Sequence, residues 1–115
     1  FDENTDHKGN KFKIIHSQGV FGISLDEFIE NLSFTPNHLK IDVDGNEGLI
    51  IKGSKRYLGN DLLKSILVEL DEEKSDYENT IKFIESFGFK LIEKTNSETF
   101  NKNDFASTYN HIFRK

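Results

Sequence analysis

The sequence predicts an α/β fold with a mixed sheet, because short apolar runs alternate with segments of helical periodicity that begin at capping residues. Residues 65–70 are a nearly continuous apolar run, which is typical of a strand buried on both faces. Residues 39–43 form a second strand-like run, in which Leu39, Ile41 and Val43 alternate with charged residues, and acidic residues stand at its end. A helical segment separates the two runs, which favours parallel pairing of the two strands.

The sequence pattern before residue 39 predicts secondary structure less clearly. Residues 1–10 are polar and unpatterned, and we expect a flexible end there. Residues 12–16 favour a short strand. Ser24 and Glu27 have the spacing of a capping box, which predicts a short helix over residues 25–31.

Two further helices are predicted in the second half. The first covers about residues 46–58 and precedes a Gly-Asn pair. The second has a capping-box spacing at Ser75 and Glu78 and ends at Gly88, which suits the left-handed position after a helix. Its apolar face is formed by Tyr77, Ile81, Ile84 and Phe87.

The chain is predicted to end in strands. Residues 89–93 favour a strand, residues 95–106 are polar and loop-like, and residues 109–114 alternate as a final strand does. We expect this last strand to be antiparallel and to lie at or next to the sheet edge. The phenylalanines are predicted to be mostly core by their spacing: Phe21, Phe28, Phe34, Phe83, Phe87, Phe89, Phe105 and Phe113.

The acidic run KIDVDGNE at residues 40–47 is the strongest functional signal. It reads as a strand end, a tight turn at Gly45 and a helix start at Glu47. In open α/β sheets, ligands bind beyond the carboxyl ends of parallel strands. Asp42 and Asp44 are therefore predicted to lie where such folds perform chemistry.

The neighbouring strand ends in another acid. Glu69 should approach Asp42 and Asp44 if the two strands are parallel neighbours, and carboxylates so close raise one another's pKa. Such a group suits a general base for a hydroxyl acceptor better than it suits a divalent cation. Asp42 is predicted to lie inside the strand, so it needs a partner, for which Lys40 is a candidate.

Structural interpretations of the same acids stay open. Glu47 could be a first-turn carboxylate favoured by the helix dipole, and Asp44 an ordinary turn residue. A calcium-binding loop is excluded, because with Gly45 at its sixth position Lys40 and Ile51 would stand where acids are required. The histidines have no zinc-pair spacing, so we expect each to be a surface or hydrogen-bonded structural residue.

The acidic run also carries a family resemblance. KIDVDGNE, followed by IIKGS at residues 50–54, resembles the signature in the C-terminal half of FkbM-type methyltransferases. The flanking elements SLDEF (24–28), ILVEL (66–70) and the Gly-Phe pair at 88–89 are similar to that family as well. Asp44 stands where the family often has Glu, which shortens the side chain by one methylene and keeps its charge.

This resemblance implies an S-adenosylmethionine-dependent methyltransferase acting on a hydroxyl of a sugar or other small metabolite. It implies the C-terminal half of a Rossmann-like class I methyltransferase sheet, and we expect residues 1–115 to be one partial domain. The glycine-rich cofactor loop belongs to the first half of such domains, and no G-x-G-x-x-G-like run follows a strand here. From their positions at the strand ends and the turn, we expect Asp42, Asp44 and Glu69 to be catalytic and Lys40 and Glu47 to bind substrate.

The amino-acid composition excludes several classes of partner and chemistry. The net charge of −5 and the pI near 5.3 argue against a nucleic-acid surface. The chain has no apolar run of membrane-spanning length and no signal segment, so we expect a cytoplasmic protein. It has no cysteine, which excludes thiol chemistry. The alternative to an enzyme is a noncatalytic α/β interaction module, and a sheet edge left unpaired could drive self-association.

Overall fold

The structure, a computed structural model, describes residues 10, 11, 13, 16, 18–96 and 106–115. The expected flexible end, most of the predicted strand at 12–16 and most of the predicted loop at 95–106 lie outside these residues. The helices are α1 (Leu25–Glu30), α2 (Glu47–Lys52), α3 (Lys55–Leu58) and α4 (Tyr77–Glu85), and the strands are β1 (His38–Ile41), β2 (Ser65–Asp71), β3 (Lys90–Thr95) and β4 (Thr108–Arg114).

The strands form one four-stranded mixed sheet in the order β1-β2-β4-β3. β1 and β2 are parallel, and β4 is antiparallel to both of its neighbours. The predicted α/β class, the parallel pair and the antiparallel last strand next to the edge are therefore confirmed. In this sheet β1 is an outer strand, so the carboxyl ends of β1 and β2 meet at one corner of the molecule.

The core lies between the sheet and the helices. Alternate residues of β2 are fully or almost fully buried, whereas those between them are half-buried, so the strand is less completely enclosed than its continuous apolar run predicts. Phe89 and Phe113 are buried in this core. The prediction that the phenylalanines are mostly core is wrong for Phe21, Phe28 and Phe34, which are exposed.

Two of the remaining phenylalanines, Phe83 and Phe87, are partly buried against the core. Phe83 and Phe87 pack edge-on to each other at the margin of the core, with ring centroids 5.2 Å apart. Phe105 lies outside the described residues. The spacing thus identified Phe113 of β4 and Phe83 of α4, and it failed for Phe28 of α1 and for Phe21 and Phe34 on either side of that helix.

The long helix predicted over residues 46–58 is two short helices. α2 ends at its C-cap Gly53, and the buried Ser54 donates its hydroxyl hydrogen to the carbonyl of Ile51 at 2.7 Å. A serine that bonds to the preceding turn competes with the helical ladder, so the chain restarts as α3 at Lys55.

Of the two capping boxes predicted from the sequence, one is present and the other is not. Ser24 and Glu27 form the predicted capping box of α1. The second predicted box is absent, because α4 begins after Asp76 without a side-chain cap. Gly88 takes the expected left-handed φ of 88°, two residues beyond the C-cap Ser86. In the described part of the chain, no helix has the length and apolar character needed to cross a membrane.

Candidate active site

The site is built on the turn that follows β1. The strand ends at Ile41, and Asp44 and Gly45 form a tight turn with φ values of 32° and 106°. A positive φ is uncommon for a residue with a side chain, although aspartate tolerates it better than most. The turn therefore needs support from its surroundings.

Parallel pairing brings the acids together. Ile41 lies opposite Val68 in the register of β1 and β2, and the residues that follow this pair are Asp42 and Glu69. The pKa of Glu69 is raised, first by burial and then by the carboxylates of Asp42, Glu47 and Asp44, with Lys40 acting in the opposite direction. The predicted proximity of these acids is confirmed, and their catalytic roles stay predictions.

Asp42 is less enclosed than predicted. Its carboxylate pairs with the Lys40 ammonium at 2.9 Å, which confirms the predicted partner. The two side chains are 45% and 64% exposed, so the prediction of a costly carboxylate inside the strand is wrong. The reason is that β1 stops at Ile41, one residue before Asp42, and the chain then turns outward.

Glu47 has the opposite character. It is 6% exposed, and its Oε1 accepts the backbone N–H of Gly45 at 2.9 Å. It also opens α2, where a carboxylate is favoured by the helix dipole. The structure thus shows Glu47 as the first residue of α2 and as the acceptor that holds the Gly45 N–H; its predicted contact with substrate stays a prediction.

Lys74 was missed by the sequence reasoning. It lies in the loop between β2 and α4, and its ammonium donates to the carbonyl of Gly45 at 2.8 Å, 29 residues away along the chain. Sequence spacing carries no signal for this contact, because it depends on how α4 folds back beside α2. At that point Gly48 allows close approach, since a Cβ there would lie 2.5 Å from the Asp76 carboxylate.

A groove of about 400 Å³ runs beside the acidic turn. It is lined by residues of α1, β1 and α2 and by the two residues after β1: Leu25, Leu39, Lys40, Ile41, Asp42, Val43 and Ile50. Its walls are thus mostly apolar, and the Lys40–Asp42 ion pair supplies the charge. An apolar surface with a few converging polar groups is the usual lining of a small-molecule site.

A second polar cluster is built on β4, which lies next to β2 inside the sheet. His111 of β4 is completely buried, and its Nδ1 lies 2.9 Å from the carbonyl of Tyr109, which can only accept. Its Nε2 therefore accepts from the Tyr77 hydroxyl at 2.9 Å. Burial lowers the pKa of this imidazole. His111 is thus a hydrogen-bonded structural residue, as predicted.

No group of three or more histidine, aspartate or glutamate side chains is arranged to hold a metal ion in the part of the chain that the structure describes. The chemistry available at the turn is that of carboxylates and two lysines, Lys40 and Lys74. They can accept a proton, hold a hydroxyl group and repel or attract charge.

Comparison with known proteins identifies the family. A model of the methyltransferase FkbM domain matches residues 2–91, a span that includes the acidic turn, both parallel strands and α4. No curated protein and no solved structure gives a significant match. Because the family match covers well over half of the chain, the protein belongs to the FkbM methyltransferase domain family.

Proposed function

We propose that this chain carries the acceptor side of an S-adenosylmethionine-dependent methyltransferase that methylates a hydroxyl group of a sugar or other small metabolite. Membership of the methyltransferase family supports the reaction class. The observation that carries the proposal is the half-buried Glu69, whose pKa is raised beside Asp42 and Asp44 at the carboxyl ends of two parallel strands.

The chemistry is a direct displacement. The acceptor oxygen attacks the methyl carbon, the bond from that carbon to the sulfonium sulfur breaks, and S-adenosylhomocysteine leaves with the sulfur electron pair. The hydroxyl proton passes to a carboxylate of the site. A carboxylate whose pKa is raised is a better proton acceptor than an ordinary one, and we assign this role to Glu69 with Asp44.

Positioning supplies most of the acceleration in such a displacement, because the acceptor oxygen must lie in line with the methyl carbon and the sulfur. Lys40 is exposed at the mouth of the groove and can donate to an acceptor oxygen. Asp42 can accept from a neighbouring hydroxyl. This pairing of a donor and acceptors suits a polyhydroxylated substrate.

We further propose that the chain is the C-terminal half of a methyltransferase domain, with the cofactor bound mainly by the other half. The chain has no glycine-rich turn after a strand, and the resemblance to the family implies that such a turn holds the cofactor. In the family's strand order, a strand equivalent to β1 pairs with the first strand of the domain. The outer position of β1 in the described sheet supports this arrangement.

The test uses the intact protein that contains this chain. S-adenosylmethionine binding is measured by calorimetry, and methyl transfer from labelled cofactor is measured on a panel of sugars and hydroxylated metabolites. We expect Glu69→Gln to bind cofactor normally and to transfer methyl groups at least about 100-fold more slowly. Asp61→Asn, an exposed change in the turn before β2, is the control. Normal transfer by Glu69→Gln would remove the assigned base.

A second candidate is a noncatalytic interaction module. It is favoured by the apolar segment before α1, where Val20 and Phe21 are 82% and 90% exposed. Contiguous exposed apolar surface commonly marks protein interfaces, and Val20 and Phe21 are adjacent in the chain. Failure of the intact protein to bind S-adenosylmethionine would favour this candidate over the enzyme.

A further inference from the structure

Both backbone polar atoms of Gly45 are held by side chains from different parts of the chain. Its N–H donates to Glu47 Oε1 at 2.9 Å, and its carbonyl accepts from Lys74 Nζ at 2.8 Å. Gly45 follows Asp44 directly, so the first bond fixes the peptide group that joins Asp44 to Gly45, and the second fixes the next peptide group of the turn. Hydrogen bonds to charged groups are about twice as strong as neutral ones.

Lys74 projects from a loop that is itself fixed. Its backbone N–H donates to the carbonyl of Asp71 at 3.2 Å, and its carbonyl accepts the N–H of Tyr77 at 3.0 Å. The loop is tied further by Glu73, whose N–H donates to Asp71 Oδ1 at 3.0 Å. The ammonium therefore reaches Gly45 from a rigid base at the end of β2.

The contact between Lys74 and Gly45 brings a positive charge to an acidic turn. The ammonium of Lys74 approaches a turn that carries Asp44 and Glu47 and that faces Glu69 across the two parallel strands. A cation that bonds to the turn carbonyl helps to keep the positive φ of Asp44 in place. Nothing else that the structure describes reaches the Gly45 carbonyl with a charged donor.

We propose that Lys74 is a positioning residue of the methyl-transfer site, which holds the Asp44–Gly45 turn so that the Asp44 carboxylate stays beside Glu69. The proposal rests on the proposed function and deepens it. It also assigns Glu47 to the same clamp, from the opposite side of Gly45. Lys74 itself need not touch substrate or cofactor.

The experiment uses nuclear magnetic resonance on the full chain with labelled glycine, glutamate and lysine. In Lys74→Met we expect the Gly45 carbonyl resonance to move upfield as its hydrogen bond is lost, and the Gly45 amide hydrogen to exchange about tenfold faster. Lys74→Arg retains a charged donor and should recover part of both effects. Lys82→Met, an exposed change on α4, is the matched control.

The pKa of Glu69 separates positioning from simple charge loss. If Asp44 swings away in Lys74→Met, the part of the raised Glu69 pKa that the Asp44 carboxylate causes is lost, so the pKa falls, and the fall disappears in an Asp44→Asn background. Loss of a nearby positive charge alone would raise the Glu69 pKa in both backgrounds. A rise, or no change together with an unmoved Gly45 carbonyl, would overturn the proposal.

A direct measurement on the unaltered chain covers the case in which Lys74→Met does not fold. A scalar coupling between Lys74 Nζ and the Gly45 carbonyl carbon is expected across the hydrogen bond, and its absence would also overturn the proposal. The proposed function is judged separately, by methyl transfer in the intact protein, so failure of one leaves the other standing.

Discussion

The carboxylate of Asp26 accepts the backbone N–H of Tyr57 at 2.8 Å, 31 residues further along the chain. Its other oxygen accepts the N–H of Arg56 at 2.9 Å, so one side chain of α1 caps the first turn of α3. The Asp26 N–H in turn donates to the carbonyl of Gly53 at 3.2 Å. The SLDEF and IIKGS elements of the family signature are thus two sides of one contact.

Removal of the Asp26 carboxylate is expected to destabilise the fold. Asp26 is only 11% exposed at its side chain, and Asp26→Ala would leave two helix N–H groups without an acceptor. We expect the free energy of unfolding to fall by about 1–3 kcal/mol. The measurement is urea denaturation followed by circular dichroism.

Glu30→Ala is the matched control for that experiment. Glu30 also pairs with Arg56, but both side chains are more than half exposed, and such pairs contribute about 0–1 kcal/mol. Equal losses of stability in Asp26→Ala and Glu30→Ala would contradict the assignment of a cap to Asp26.

Asp44→Asn is expected to lower the methyl-transfer rate far more than it lowers stability. In the intact enzyme, Asp44→Asn should lower methyl-transfer turnover by about 10²–10⁴-fold and leave the melting midpoint nearly unchanged. Asp42→Asn should cost at most about 1 kcal/mol of stability, because its ion pair with Lys40 is exposed. Rates and midpoints of the purified variants check this, and near-normal turnover in Asp44→Asn would make that carboxylate a turn residue.

Much of this site could be predicted from local sequence. The position of the turn follows from Gly45 after an apolar strand, and the approach of Glu69 to Asp42 follows from parallel pairing. The limits of β1 could not be predicted, because Asp42 and Val43 continue the alternating pattern although the backbone already turns. The break between α2 and α3 depends on the Ser54 hydroxyl, whose alternative hydrogen bond helical periodicity does not reveal.

Contacts between distant segments were beyond the same reasoning. Lys74 reaches Gly45 and Asp26 reaches Tyr57 only because helices pack side by side, and no spacing in the sequence encodes such pairs. The buried His111 shows the same limit, since its partner Tyr77 was predicted only as part of an apolar helical face.

His111 predicts a pH dependence of stability. Burial lowers its pKa in the folded state below the ordinary value of 6.5, so the unfolded chain binds a proton more readily. Its contribution to stability is therefore fully present above about pH 6.5 and is lost as the pH falls toward the folded-state pKa. We expect the unfolding free energy of the unaltered chain to fall on acidification more steeply than that of His111→Gln.

Comparing the two chains removes the contribution of Glu69, which has the opposite sign. Its raised pKa means that the folded state takes up the proton first, so acidification toward pH 4.5 relieves a cost. The exposed His38→Gln serves as the histidine control. Parallel pH profiles for the unaltered chain and His111→Gln would show that this imidazole does not govern acid stability.

The chain by itself is expected to bind S-adenosylmethionine weakly or not at all. No glycine-rich turn follows a strand in its sequence, and the acids that it does contain lie on the proposed acceptor side. Calorimetry of the purified chain against the same measurement on the intact protein checks this. Micromolar affinity for a monomeric 115-residue chain would refute the half-domain proposal.

We expect the chain by itself to self-associate through β1. β1 is the outer strand of the described sheet, and the mostly apolar groove runs beside it, with Val43 40% exposed at its end. An outer strand with apolar neighbours offers unpaired backbone groups to a second copy of the chain. We expect sedimentation equilibrium to show association that grows with concentration, and Val43→Lys to weaken it by placing a charge beside the edge. Leu62→Lys, an equally drastic change at an exposed leucine outside the groove, should leave association intact; a chain that stays monomeric throughout, or equal weakening by both variants, would mean that this edge is not the contact.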